Sequence, residues 1–234
     1  MAINVNTVYR TVLSLANREQ RGFVTPDQYN RLARLAQLDL FEKAFFDYNR
    51  FLTRKEGNTV NDEYANLAKA TKEKIHVFST SSTLSFNASG TAAVPSNFYK
   101  CIMISTGTRG VEVQEVQKSD LPQINSSKLT APSSSYPVYY READNIKILP
   151  TSTSSATLDY IFKPADPIWG FTTGATYGDI AYASGSSVNF QLHDSEEVPL
   201  IIKILSYVGV TIKDPSVVQA AKQEEIQKIN QENT

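Results

Sequence analysis

The chain has 234 residues, 23 Lys and Arg against 24 Asp and Glu, and a formal net charge of -1. One cysteine, two histidines and one tryptophan exclude an intrachain disulfide, and zinc sites built on four cysteines or on two cysteines with two histidines. Near-neutral charge argues against strong nonspecific nucleic-acid binding, which needs a basic footprint, while 41% hydrophobic residues supply a core.

The first expected helix carries Val5, Val8, Val12, Leu15 and Ala16 on one stripe, at the three-to-four spacing of an amphipathic helix. Asn4 or Asn6 is positioned to cap it, and Gly22 suits a left-handed stop. Thr25-Pro26-Asp27-Gln28 is a stronger start signal. A capping hydroxyl precedes Pro at the first helical position, and Gln28 stands three residues on to close a capping box. From there Tyr29, Leu32, Leu35, Ala36, Phe41 and Phe45 track one face to about Leu52, and Leu38, Leu40, Phe46, Tyr48 and Phe51 widen it. A helix apolar on more than one face is buried on more than one face, either between layers of a core or between subunits. Residues 53–62 read as a polar break, and Asp62 to Lys74 as a short helix.

The composition then changes. Residues 76–195 hold seven of the ten glycines, seven of the ten prolines and 32 Ser or Thr. Such density of turn formers favours short strands. Strands are expected at Leu84–Phe86, at Cys101–Ile104 as a buried run, at Val111–Val116, and at Tyr136–Tyr140. Further strands are expected at Asn145–Leu149, across an Asp144-Asn145 turn, and at Ala156–Phe162. Residues 119–135 and 170–187 lack apolar periodicity and read as long loops, a class often functional. From residue 196 helical composition returns. Asp194 or Ser195 is the expected cap, Leu200, Ile201, Ile204, Leu205 and Val208 form an apolar stripe, and Gly209 is a possible stop. Pro215 after Asp214 starts a last helix with Val217, Val218, Ala221, Ile226 and Ile229.

The expected fold is α+β. A helical region formed by the N- and C-terminal segments (1–75 and 196–234) flanks a central antiparallel β-sandwich or barrel-like domain (76–195). The N-terminus lacks the basic stretch and apolar run of a secretory signal, and no run approaches the ~18 apolar residues of a membrane span. The sequence therefore predicts a soluble protein made in a reducing cytoplasm, with no membrane partner.

Catalytic chemistry finds little material. Cys101 lies inside the apolar run Cys-Ile-Met-Ile and reads as a structural thiol rather than a nucleophile. His193 precedes a helix beside Asp194 and reads as a capping or solvent-facing residue. His76 enters the β region beside Val77 and Phe78 and reads as interfacial. No G-x-S-x-G, Walker A or HExxH pattern occurs. The glycines at 170, 174 and 178 lack the Lys-Ser/Thr of a phosphate loop. No catalytic residue, cofactor site or metal site is assigned. Aromatic residues gather between Tyr136 and Tyr182, including Tyr139, Tyr140, Tyr160 and Trp169. Three readings stay open for them: core, subunit interface, or a carbohydrate-binding face.

Four local patterns, in this order of parts, carry a resemblance. They are Glu19-Gln20-Arg21-Gly22-Phe23-Val24-Thr25-Pro26 running into Tyr29-Asn30-Arg31-Leu32-Ala33 and then Ala36-Gln37; Val94-Pro95-Ser96-Asn97-Phe98-Tyr99; Tyr139 through Pro150 with Leu158-Asp159-Tyr160-Ile161-Phe162-Lys163-Pro164 before Pro167-Ile168-Trp169-Gly170; and Ile201 through Pro215 with Val218-Gln219-Ala220-Ala221. The chain resembles the head-to-tail adaptor proteins of tailed bacteriophages, of the tail tubular protein A type and the ring proteins of crAss-like, short-tailed phages. The resemblance implies a non-enzymatic homo-oligomeric ring of twelve copies in the virion neck, assembled in the host cytoplasm. Its partners would be the portal protein and neighbouring neck or tail rings, with DNA passing through the lumen without sequence-specific binding. Candidate interface residues are Phe41, Phe45 and Phe46 on the long helix. In the β region they are Trp169, Phe171, Tyr177 and Tyr182, and near the C-terminus Pro215, Val218, Ile226 and Ile229. The loops 119–137 and 170–187 are candidate contacts to adjoining rings, and 214–234 a candidate extension onto the portal. The alternative is a β-sandwich carbohydrate- or receptor-binding module of a phage tail.

Overall fold

The structure, a computed structural model, describes residues 2–16, 24–54, 72–107, 110–174 and 180–212 with residues 219, 223, 226 and 227, the side chains of 48–54 and 210–212 excepted. The chain divides into two compact units: a helical unit of Met1–Val77 with Pro164–Thr234, and a β unit of Phe78–Lys163. The segment 164–195, expected with the β domain, clusters with the helices instead. Its strands pair with each other and with residues near the chain start, not with the sandwich sheets.

The helical unit begins with α1 (Val5–Ala16), whose buried stripe is Val5, Val8, Tyr9 and Val12. Asn4 is its cap: the Oδ1 accepts from the backbone N–H of Asn6 at 2.8 Å and of Thr7 at 3.2 Å. Leu15, expected on the stripe, is exposed. Helix α2 (Pro26–Arg54) opens on the capping box written in its sequence. The Gln28 N–H donates to Thr25 Oγ1 at 3.3 Å and the Thr25 N–H donates to Gln28 Oε1 at 3.2 Å. Thr25→Ala removes an acceptor from the first turn, and is expected to cost about 1 kcal/mol. A urea titration followed by circular dichroism measures it; an unchanged midpoint would show the cap to be idle.

Residues 72–76 are helical. Helix α4 (Glu197–Ile212) packs against both α1 and α2 through the fully buried Leu200 and Ile204 and the buried Val208. Each such side chain contributes roughly 1.5–3 kcal/mol of burial. The helix continues through Gly209, contrary to the expected stop. Packing of the stripe overrides the modest cost of one mid-helix glycine. Lys203 Nζ on α4 holds Asp39 Oδ2 of α2 at 2.7 Å. Asp194–Glu196 is a short 3-10 turn capped by His193, whose Nδ1 accepts from the Ser195 N–H at 3.2 Å.

The β unit holds two four-stranded sheets. One runs in the order β1 (Ser79–Ser85), β8 (Ser155–Phe162), β3 (Phe98–Thr106), β4 (Val111–Glu112). The other runs β2 (Thr91–Ala93), β7 (Asn145–Leu149), β6 (Val138–Glu142), β5 (Gln114–Glu115). One cluster fed by both sheets forms the core, including Leu84, Ile104, Tyr139, Ile146, Ile148 and Leu158. The fold is thus α+β with sandwich-like sheets, and neither closes into a barrel. The chain passes from one sheet to the other at buried Val113, between β4 and β5. This passage makes the β5–β6 pair parallel, whereas a wholly antiparallel domain was expected.

Three local readings shift. The β6–β7 turn is Ala143-Asp144, because Glu142 pairs with Asn145; Ala143 adopts a φ of 51°, the left-handed start that matches hairpin twist. The expected loop 119–135 contains a short helix, α3 (Leu121–Ser126). The run Cys101–Ile104 is not wholly buried. Register shifts in β3 between Phe98 and Lys100 and between Cys101 and Met103 leave Ile102 and Met103 exposed while Ile104 is enclosed. Bulges of this kind re-aim side chains.

The Gly22 cap, the residues 55–71 that cover most of the expected break and short helix, and Pro215, Val217, Val218, Ala221 and Ile229 of the last helix lie outside the described residues. Among those described, no helix is long and apolar enough to cross a membrane.

Candidate interaction surfaces

In the helical unit, buried Trp169 is the centre of an aromatic cluster. Its ring stacks on Tyr9 at 4.0 Å between centroids, with Phe171 at 6.0 Å and Tyr182 at 5.8 Å. Tyr29 meets Tyr9 edge-on at 4.8 Å. The polar edges are satisfied as buried rings require. Trp169 Nε1 donates to Asn6 Oδ1 at 3.1 Å, and Tyr29 OH donates to the Val5 carbonyl at 3.4 Å. The Asn30 amide reads both backbone groups of Trp169: its Oδ1 accepts from the N–H at 2.8 Å and its Nδ2 donates to the carbonyl at 3.3 Å. Burial, with the neighbouring Tyr9 adding to it, holds the Tyr29 hydroxyl far above the ordinary phenol range.

The segment 170–187 is not a featureless loop. Strands β9 (Phe171–Thr173) and β10 (Ile180–Tyr182) pair antiparallel, and Tyr177 between them lies outside the described residues. Gly170 is required by close approach: a Cβ there would collide with Ser186 Oγ and lie 2.9 Å from the Ala183 carbonyl oxygen.

Gln37 is a buried polar side chain to which the sequence assigned no structural role. At 1% exposed, it donates from Nε2 to the Ala165 carbonyl at 2.7 Å and accepts on Oε1 from the Gln191 N–H at 3.0 Å. Gln191 in turn accepts from the Ala165 N–H at 2.8 Å. This circuit ties two extended segments to α2. Gln37→Ala removes two hydrogen bonds from a buried side chain to backbone groups and is expected to cost roughly 1–3 kcal/mol, since an ordinary bond of this kind contributes about 0.5–1.5. A fall in thermal midpoint checks this, with exposed Glu42→Ala as the reference.

These placements sort the candidate interface residues. Phe41 (2% exposed) and Trp169 (5%) are enclosed within their own unit and leave no area for a partner. Phe45 is half-buried, edge-on to Phe41 at 4.9 Å, and Tyr182 is half-buried against Trp169. Phe171 and Ile226 are exposed, and Phe46 is 68% exposed. Leu35, eleven residues before Phe46 on α2, is also exposed. That is three helical turns, so the two lie on one face. The helix therefore buries Tyr29, Ala33, Ala36, Gln37, Leu40 and Phe41, and leaves Leu35 and Phe46 exposed on a face they share with Asp39 and Glu42.

The β unit has its own exposed apolar residues. Tyr99, Ile102 and Met103 stand out from β3, and Leu129 and Tyr136 from the segment after α3. Local bonds shape that segment: Thr130 Oγ1 donates to the Ile124 carbonyl at 2.8 Å, and Ser133 and Tyr136 bridge. Leu129 was legible only as a lone large apolar residue in a polar run. Tyr139 and Tyr140, in contrast, are buried.

Cys101 is half-buried beside the Tyr139 hydroxyl, 3.5 Å from Sγ, which also lies 3.3 Å from Glu115 Oε2. Burial pushes the thiol up from its ordinary value, against a lowering bond from Tyr139. A raised thiol is protonated and unreactive at neutral pH. Because the folded value lies above the unfolded one, this thiol's contribution to stability is complete below the ordinary thiol range. It is lost as pH rises through the folded value. Ellman's reagent is therefore expected to react with the native protein far more slowly than with the urea-unfolded chain at pH 7.5; equal rates would refute the assignment. His76 is exposed, and among the described residues no group of three or more His, Cys, Asp or Glu converges as a metal site.

A scan against protein-family models and a search of curated proteins each found no match.

Proposed function

We propose that this chain is a structural adaptor that assembles into a twelvefold ring in the neck of a tailed bacteriophage virion, joining the portal to the tail around the DNA exit channel. The observation that carries this reading is the chain's division. Both terminal segments build one helical unit, and a sandwich-like β unit is inserted between them. That is the order of parts in the adaptor proteins the sequence resembles. Each unit also presents exposed large apolar side chains, Leu35 and Phe46 in one and Ile102, Leu129 and Tyr136 in the other. A cyclic ring uses heterologous contacts, so it needs two different patches on each copy. The ring is assembled in the host cytoplasm, and its lumen passes DNA by geometry, without sequence-specific contacts.

The tryptophan at the centre of the aromatic cluster that motivates the carbohydrate-binding alternative is enclosed, which weighs against that reading. The test is coexpression with the portal protein of the same phage and negative-stain microscopy of the product. Twelvefold rings seated on the portal are the expected result. A chain that stays monomeric and unbound in the presence of portal and tail proteins overturns the reading.

A further inference from the structure

The β unit carries, within one run of chain, what a small domain needs in order to fold. It is the continuous segment Phe78–Lys163, well above the ~40 residues below which a chain usually needs disulfides, metals or oligomerisation. Both of its ends are secured inside it. The Phe162 N–H donates to the Phe78 carbonyl at 2.9 Å, and the Lys163 N–H donates to the Asn97 carbonyl at 2.7 Å. The first and last strands are neighbours in one sheet, β1 beside β8. Adjacent ends of this kind are what allow a domain to be inserted into another.

Neither sheet is complete without the other. The chain changes sheet after β1, β2, β4 and β7, so each sheet is built from strands separated by strands of its partner. One core joins them, to which β1 gives Leu84, β2 Ala92, β3 Ile104, β7 Ile146 and Ile148, and β8 Leu158. Polar groups around that core find partners in the same unit. Tyr160 OH donates to Asn97 Oδ1 at 3.2 Å, Tyr139 OH donates to Glu115 Oε2 at 3.3 Å, and Lys118 Nζ donates to Glu142 Oε1 at 2.5 Å. The Arg141 guanidinium lies over the Phe98 ring at 4.7 Å. The helical unit is built differently. It needs both terminal segments, because Asn30 bonds Trp169, Gln37 bonds Ala165, and α4 packs on α1 and α2.

We propose that the β unit is a self-sufficient domain that stays folded when the helical unit is unfolded. The chain is then a helical protein interrupted by an autonomous insert, and one free energy of unfolding does not describe it. Local units of this kind open and close by their own free energies. The inference does not rest on the phage reading and stands or fails apart from it.

The full-length chain carries a natural reporter in each unit. Trp169, the sole tryptophan, lies in the helical unit, and Cys101, the sole cysteine, lies in the β unit. Leu200→Asp with Ile204→Asp sets two carboxylates at fully buried positions of α4, where an apolar core cannot accommodate unpaired charge. Trp169 emission is expected to shift red to that of the urea-unfolded chain. Cys101 is expected to keep the parent's slow reaction with Ellman's reagent, and amide exchange to keep β3 and β8 protected. Loss of that protection together with the red shift overturns the proposal. Should the double variant prove insoluble, Ile204→Ala in a urea titration makes the same distinction. The Trp169 transition is expected to move to lower urea while Cys101 labelling keeps the parent's midpoint. A Cys101 midpoint that falls in step with that of Trp169 overturns the proposal.

Discussion

Trp169→Ala is expected to cost the helical unit about 3–5 kcal/mol, the range for deleting a buried aromatic side chain. Three losses combine. The stack on Tyr9 at 4.0 Å disappears, a cavity opens between Tyr9, Phe171 and Tyr182, and Asn6 Oδ1 loses the indole donor. Trp169→Phe separates these effects: it keeps most of the ring volume and forfeits the hydrogen bond, at about 1–2 kcal/mol. Urea titration by circular dichroism ranks the two variants. In the parent chain the same transition appears in fluorescence, because Trp169 is the sole tryptophan, and its enclosed indole emits to the blue of a free one. Equal midpoints for Trp169→Ala and the parent would show the cluster to be incidental to stability.

Leu158→Ala is the corresponding test of the β unit. Leu158 is fully buried on β8, the strand between β1 and β3, and opposes Ser82 on one side and Ile104 on the other. Its truncation is expected to cost roughly 2–5 kcal/mol. Thr157→Ala, one residue away on the exposed outer face, should change stability by about 0.5 kcal/mol or less. Amide hydrogen exchange locates the loss: protection should fall in β1, β8 and β3 of Leu158→Ala and persist in Thr157→Ala. A uniform response in the two variants would contradict the assigned strand faces.

Local signals in the sequence were sound where one short segment carries all the physics. The Thr25–Gln28 capping box is such a case, since both partners lie within one turn. The α1 stripe and the alternation in β8 are others, because periodicity reports which face is wet. Readings that depended on a distant partner went astray. The segment 170–187 lacks periodicity, yet Phe171–Thr173 and Ile180–Tyr182 pair antiparallel, and Gly170 and Ser187 both bond Ala183 beside them. Cys101–Ile104 reads as a buried run, but two register shifts against β8 turn its middle outward. Gln37 carries no local signal of its own. Only its partners at residues 165 and 191 make it structural.

The candidate surfaces divide in the same way. Apolar excess on α2 was visible, but not which of Phe41, Phe45 and Phe46 would face solvent. Those residues are close together on the helix, and tertiary packing, α4 against α2 included, decides among them. The scarcity of cysteine and histidine, the even charge, the helix starts and the sheet-forming middle belong to the sequence by itself, because composition and short-range pattern set them. The division at Phe78 and Lys163, the burial of Trp169 and the place of β1 at the end of its sheet belong to the tertiary structure. Each of those is a relation between residues far apart in the chain, and burial and strand pairing exist only once those residues meet.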